Sequence, residues 1–546
     1  MPLISTYRYD GSGNLSIEYD ERGDIDCSTE YSYDRYGTLK SVDLPDGQKI
    51  NYDNGTVGLL SVSSPLGTET SVNKIFSKRG LVTKTTSDDS EFEFTYDGFG
   101  NVTETKLNGT TISETEYKRD SSYSSADEST FNYVKHTYRN GNGNDYSEKT
   151  ITDKDGNVVC VLGDRYTADG TKTTVEIMRV GYDEYDRTET VTDKSLCNFD
   201  NAVGSSGNAI VYTNVYSDDG ELKNVVISGE ITGGFGETTD DTGKVISKTI
   251  SYSGIPKIYG YKYDEFDGEA YPDNRISEIR LPNDAVVSCD YDAYSRLVQK
   301  SITPCQSGSA IVEGYAYLRG GNDLNCGCKD RETNYVSNIF YHAADYSSIS
   351  VYNYDNRGNI SSATEDEVTT QYTYDQLNRL KTERNSQTDV LTTYEYDKSG
   401  NITKILKTCR GSVVEDCSFS YGADGRLTNL SKFSTSFSPK EYNISYDNVG
   451  NPCNYKDNVL KWERGRLLAA YGNNKYSYNA DGIRIKKKIA EGVLHTYFVE
   501  GTRIHCERFL NHTNWYYYDA TGITGMEHDG VRYFFQKNVQ GDVIRK

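Results

Sequence analysis

The sequence predicts an all-β protein, a long antiparallel sheet of short repeated hairpins coiled or closed around a wet lumen. Three observations carry this. The chain of 546 residues holds 48 tyrosines and 49 glycines but only 9 prolines and 3 methionines, the usage of strands and turns rather than helices. An aromatic-x-Tyr-Asp-x-x-Gly-x-aliphatic string recurs along its length. Only 35% of residues are hydrophobic and mean hydropathy is -0.71, which is too little apolar surface for a solid two-layer core of this size. Aromatic content of 12% argues against disorder.

The repeat opens with YRYDGSGNL (Tyr9, Gly13), IEYDERGDI (Tyr19, Gly23) and YSYDRYGTL (Tyr33, Gly37), and returns as FTYDGFGNV around Tyr96. It is best kept late: Tyr354-Asp355 with Gly358, Tyr374-Asp375, Tyr396-Asp397 with Gly400, Tyr421, and Tyr446-Asp447 with Gly450. These tyrosines are spaced by 20, 22, 25 and 25 residues, and Tyr478 and Tyr518-Asp519 with Gly522 close the series. Each position has a physical reason. Tyr-x-Tyr sets two rings on one face of a strand. Asp opens a turn by accepting a backbone N–H two residues on. Gly takes the left-handed conformation that ends a type I turn, so Gly358, Gly400 and Gly450 should have positive φ. The aliphatic residue starts the return strand. Tyrosine and threonine tolerate water while stacking across strands, so a single layer wetted on both faces suits this composition. Coiling, with successive turns of the sheet paired to each other, protects the edges.

The organisation reads as three stretches: N-terminal repeats over 1–104, a worn β region with loop insertions over 105–345, and well-formed repeats over 346–546. Worn copies include TDKDGNV at Asp153, YSDDGEL at Tyr216, TDDTGKV at Asp240 and YDAYSRL at Tyr291; Asn198–Asn208 and Gln306–Arg331 read as long loops.

Composition excludes several classes. A net charge of -22 opposes a nucleic-acid or anionic-membrane partner. No apolar run is long enough to span a membrane as a helix, and MPLISTYRYD lacks the pattern of a signal peptide. No cofactor motif, nucleophile elbow or phosphate loop is present, so neither a catalytic site nor a cofactor is expected. No metal site is expected either. Cys326 and Cys328 lack a second pair at zinc spacing. His495, His505, His512 and His528 read as scattered surface residues on hairpins, and Asp153–Asn157 reads as a repeat turn rather than a calcium loop. Cys409 and Cys417 flank a hairpin, either as a disulfide or as two half-buried thiols.

The Tyr-Asp array, with KWERGRLLAAYGNNKYSYNADGIRIKKK (461–488) and YYYDATGITGMEHDGVRYFFQKNVQGDVIRK (516–546), resembles the YD repeats of Rhs proteins, of wall-associated YD-repeat proteins and of teneurins. The resemblance implies a strip of sheet spiralling into a hollow β-shell. In the bacterial members it further implies a non-catalytic container for a C-terminal toxin domain, secreted or at the cell surface. The family's core ends in an Asp-Pro-type segment where some members cut themselves. None of the nine prolines here follows an aspartate, so the self-cleavage residues and the toxin cargo are expected to lie outside this chain, which reads as a piece of a longer product. The other readings are a surface adhesin or carbohydrate binder using exposed tyrosines, with a cell wall or glycan surface as partner, and a hydrolase hidden in the worn middle.

Overall fold

The computed structural model describes residues 6–22, 25–55, 58–64, 67–87, 90–120, 131–141, 145–166, 171–199, 208–266, 269–270, 274–305, 308–320, 331–344 and 346–546. The chain is almost wholly strand. One sheet of 35 strands runs from Thr6–Tyr9 to Phe437–Asn443, and a second of ten runs from Asn454–Tyr455 to Val531–Phe534. Among the described residues the one helix is a single turn, Ser195–Phe199, opened by Asp193, whose carboxylate accepts from the Ser195 N–H and hydroxyl.

The long sheet is a meander. Each strand pairs antiparallel with the strands before and after it in sequence, as Val390–Tyr396 does with Leu380–Asn385 and Ile402–Cys409. The ladder slips at the same place in successive units, between Glu395 and Tyr396, Thr373 and Tyr374, Asn353 and Tyr354, and Ser420 and Tyr421. A bulge increases local right-handed twist, and a bulge repeated at every tyrosine turns a flat strip into a coil. The coil returns on itself after about 300 residues. Asn356 Nδ2 donates to Pro45 O across 311 positions, Asn140 Nδ2 to Asp447 Oδ2 across 307, and the Ala480 N–H to Asp193 Oδ2 across 287. Successive turns of the coil thus meet each other: these contacts run through turns and side chains, and Leu15–Arg22 also approaches Ile311–Gly320.

The expected absence of a solid core is corrected. Strands between Ile210 and Thr303 and the second sheet bury a shared core, with Ile210, Ile227, Ile250, Ile279, Val287 and Ile302 on one side and Ile485, Phe498, Cys506, Trp515 and Tyr517 on the other. Phe498 stacks on Tyr252 at 4.8 Å and on Phe235 at 5.1 Å. Average composition hid this because the apolar residues are concentrated there at alternate positions. Smaller clusters form at Ile151 and Cys160 and at Val161 and Ile177, and the single-layer reading describes other stretches: every residue of Val102–Leu107, Ile360–Glu365 and Ile402–Cys409 is half-buried. Within the expected loop at 306–331, Ile311–Gly320 is a strand paired on both sides; Cys326 and Cys328 lie outside the described residues, as do 200–207 of the other loop.

Candidate functional site

The repeated turn and the tyrosine face it sets are the features the whole chain shares. In the unit at Tyr396, Asp397 N–H donates to Asn401 O and Gly400 N–H to Asp397 O. Asp397 Oδ1 accepts from the Asn401 N–H at 2.8 Å, and Oδ2 from Asn401 Nδ2 at 2.9 Å. Gly358, Gly400 and Gly450 have φ of +84°, +90° and +94°. Asp355 and Asp447 clamp Asn359 and Asn451 in the same way. At Asp375 the glycine place is taken by Asn378, with φ +60°, and the fourth residue on is Arg379, whose Nε donates to Asp375 at 2.6 Å. The Arg379 guanidinium also lies 4.5 Å from the centre of the Tyr396 ring and donates to Asp397 O, which ties one unit to the next. Asp153 accepts from the Asp155 and Asn157 N–H groups in a turn of this kind. Tyr19 and Asp20, by contrast, sit inside the strand Leu15–Arg22 rather than at a turn, and Gly23 lies outside the described residues.

Sequence reasoning assigned the tyrosines to ring stacking and missed their hydroxyls. Tyr354, Tyr374, Tyr396, Tyr421, Tyr446 and Tyr518 donate to the carbonyls of Val336, Ile360, Leu380, Ile402, Leu427 and Ile504 at 2.7–2.9 Å. Each bond reaches the neighbouring strand on the side away from the tyrosine's own turn. Phenylalanine supplies the ring but not this bond, which is why the motif keeps tyrosine. The signal was in the sequence as the near-invariance of Tyr over Phe before Asp within these units.

Asp519 departs from the pattern. It accepts from the Thr521 N–H at 2.7 Å, and Gly522 has φ +102°, but the residue ends the strand His512–Asp519 and is buried between the sheets. Its Oδ2 lies 3.5 Å from Lys300 Nζ, which lies 2.7 Å from Glu313 Oε2; all three side chains are 0–3% exposed. Burial alone would drive the Lys300 ammonium down, but Asp519 and Glu313 outweigh it and hold its pKa above the ordinary value. Burial likewise opposes the Asp519 carboxylate, and Lys300 reverses this, so its pKa falls below the ordinary value. Further ion pairs join the second sheet to the long one: Lys248–Glu500 and Lys486–Glu230 at 2.7 Å, and Lys257–Glu527 at 3.2 Å.

The second sheet and the end of the chain dock on the same face of the long sheet. Lys248, Ile250 and Tyr252, and Lys257, Tyr259 and Tyr261, face the second sheet. Ser348 and Tyr352, on the same face as Tyr354, receive Gln536 and the Val539 N–H from the end of the chain. Between that end and the strands from Tyr346 to Asn385 lies a cavity of about 820 Å³ lined by Tyr352, Tyr372, Tyr374, Glu365, Asp366 and Arg545. The other face leaves Val226, Ile246, Ile258, Phe340 and Ile349 exposed.

The histidine expectation needs correction. His505 is buried, 2% exposed, with Nε2 3.0 Å from Glu500 Oε2; burial pushes its pKa down against that carboxylate. His495 bonds Glu507 at 2.9 Å, and His512 and His528 stack on each other at 5.4 Å. Hairpin register brings together residues that sequence spacing kept apart. Cys409 and Cys417 are free thiols, since register sets Cys417 opposite Ile405 and Cys409 opposite Ser412. Burial pushes the Cys506 thiol up to about 12.

No family model matches the chain, and no curated protein matches it. Among solved structures it is similar to a chain of the Photorhabdus luminescens Tc holotoxin pore carrying a TccC3 mutation, at 11% identity and a TM-score of 0.35, covering 96% of this chain and 34% of that one. It is similar to a TcdB2–TccC3 crystal structure at 11% identity and TM-score 0.29, covering 97% of this chain and 43% of that one. A porin-like protein of Bacteroides uniformis matches half of the chain, 50%, at 12% identity and TM-score 0.18. The chain thus spans less than half the length of the toxin chains it matches. Among the described residues no helix is long and apolar enough to cross a membrane.

Proposed function

We propose that the chain is a non-catalytic shell segment of a bacterial Rhs-type toxin, secreted or surface-located, whose coil encloses a toxic domain following Lys546. The observation that carries this reading is sidedness. One face of the coiled meander takes both the second sheet and the end of the chain, while Val226, Ile258, Phe340 and Ile349 on the opposite face are exposed. A strip that returns on itself after about 300 residues and turns its tyrosine face toward Gln536 and Val539 would deliver a domain joined beyond them to that face. The YD-repeat resemblance supports the same reading.

The test is a passenger domain fused after Lys546. Its protease half-life should rise well above that of the free passenger, and electron cryo-microscopy should show density on the tyrosine face. Equal cleavage of fused and free passenger would defeat the container reading. The second reading, carbohydrate binding, rests on the cavity of about 820 Å³ with its three tyrosines beside Glu365, Asp366 and Arg545, since rings and carboxylates suit sugar faces and hydroxyls. Saturable glycan binding by this chain, lost in Tyr372→Ala, would favour it.

A further inference from the structure

We propose that His512, His528 and Asp529 form a binding site for a borderline divalent cation, Zn²⁺ being the natural occupant for two imidazoles and a carboxylate. His512 opens the strand His512–Asp519, and His528 closes its partner Gly522–His528. Asp529 follows in the next turn, where its N–H donates to Thr513 O. One ligand atom from each of the three side chains lies within 4.8 Å of the others. His512 Nδ1 is 2.6 Å from Asp529 Oδ2, and His528 Nε2 is 3.6 Å from the same oxygen. Ligand atoms around a tetrahedral ion with bonds of about 2.0–2.1 Å stand roughly 3.4 Å apart, so these separations need only small side-chain adjustments.

The surrounding groups orient the three side chains as metal ligands are oriented. Asn514 Oδ1 lies 2.7 Å from His528 Nδ1. An amide oxygen only accepts, so Nδ1 carries the proton and Nε2 presents its lone pair toward Asp529. The Thr513 N–H donates to Asp529 Oδ1 at 2.8 Å, which fixes that carboxylate oxygen and leaves Oδ2 for the ion. Phe509 lies against the His512 ring at 5.3 Å. His512 and Asp529 are exposed and His528 is half-buried, so a fourth position is open to water or to a ligand from another molecule. Sequence spacing hid the set because His512 and His528 meet only through hairpin register, in which His528 stands opposite Asn514.

The experiment is calorimetric titration of Zn²⁺ into the chelator-stripped full chain, with Co²⁺ absorption as a second readout. The wild type should take up one equivalent that the His512→Ala/His528→Ala double variant lacks, with unchanged circular dichroism. Asn514→Ala, which keeps all three ligands, should weaken that equivalent about tenfold or more. The Co²⁺ complex should show visible bands without thiolate charge transfer. Equal stoichiometry and affinity in the wild type and the double variant would overturn the proposal, as would thiolate bands that persist in that variant.

Discussion

Replacing Lys300 with methionine should loosen the second sheet from the long one. The methionine fills nearly the same volume, so packing changes little, but Glu313 and Asp519 lose the ammonium 2.7 and 3.5 Å away. Both carboxylates stay in a site that water does not reach; Lys537 is near, though its Nζ is bound to Thr521 O and Oγ1 at 2.9 and 2.8 Å. Breaking a buried pair by removing one partner costs about 3–5 kcal/mol. The pH dependence follows from the shifts. Asp519, held below its ordinary 3.8, contributes stability that is present above that value and lost as pH falls through its folded pKa. Lys300, held above its ordinary 10.5, contributes stability that is full below that value and lost as pH rises through its folded pKa. Docking should therefore weaken at both ends of that window. Urea unfolding followed by tryptophan fluorescence measures it, because Trp515 lies in this core. Hydrogen exchange over His512–Asp519 localises it. Lys300→Met/Asp519→Asn should lose less than the sum of the single changes. A loss below about 1 kcal/mol for Lys300→Met, or strict additivity, would refute the claim that this charge cluster holds the two sheets together.

In Gly400→Val the added Cβ meets only Arg379 Nη1, at 4.0 Å, and the left-handed backbone costs about 1–3 kcal/mol, read as faster proteolysis near 396–402. Tyr396→Phe keeps the ring and deletes the 2.7 Å bond to Leu380 O; it should cost about 0.5–1.5 kcal/mol by hydrogen exchange in the same hairpin, whereas Tyr185→Phe at an exposed turn should be silent. Burial opposes the Glu500 carboxylate, but His505 and Lys248 lower its pKa to about 2 from an ordinary 4.5. Its contribution is thus present above 4.5 and lost as pH falls toward 2, and Glu500→Gln should flatten that part of the acid unfolding curve.

The turns were legible because their chemistry is local. Asp397, Gly400 and Asn401 lie within five residues and need no knowledge of the rest of the chain. The all-β class followed from the same units. What the sequence concealed depends on residues far apart. The shared core needs Ile250 to find Phe498, and Asp519 carries the motif's spelling while its carboxylate serves Lys300, more than 200 positions away. Mean hydropathy cannot reveal a core confined to alternate residues of a dozen strands. The tyrosine hydroxyls fell between these cases: the partner lies only 14 to 19 residues back, but naming it requires knowing which strand lies beside which.

The meander has a consequence for synthesis. Every strand of the long sheet finds its partner in the hairpin just made, so loop-closure cost stays small and the strip can assemble as the chain leaves the ribosome. The second sheet has no such privilege: it is made after the long sheet and must seat on strands finished some 250 residues earlier. Until then Ile250, Ile279 and Val287 face water, and the half-made protein carries its stickiest surface openly. Nascent chains stalled before residue 454 should therefore bind a hydrophobic dye that chains released at 546 do not.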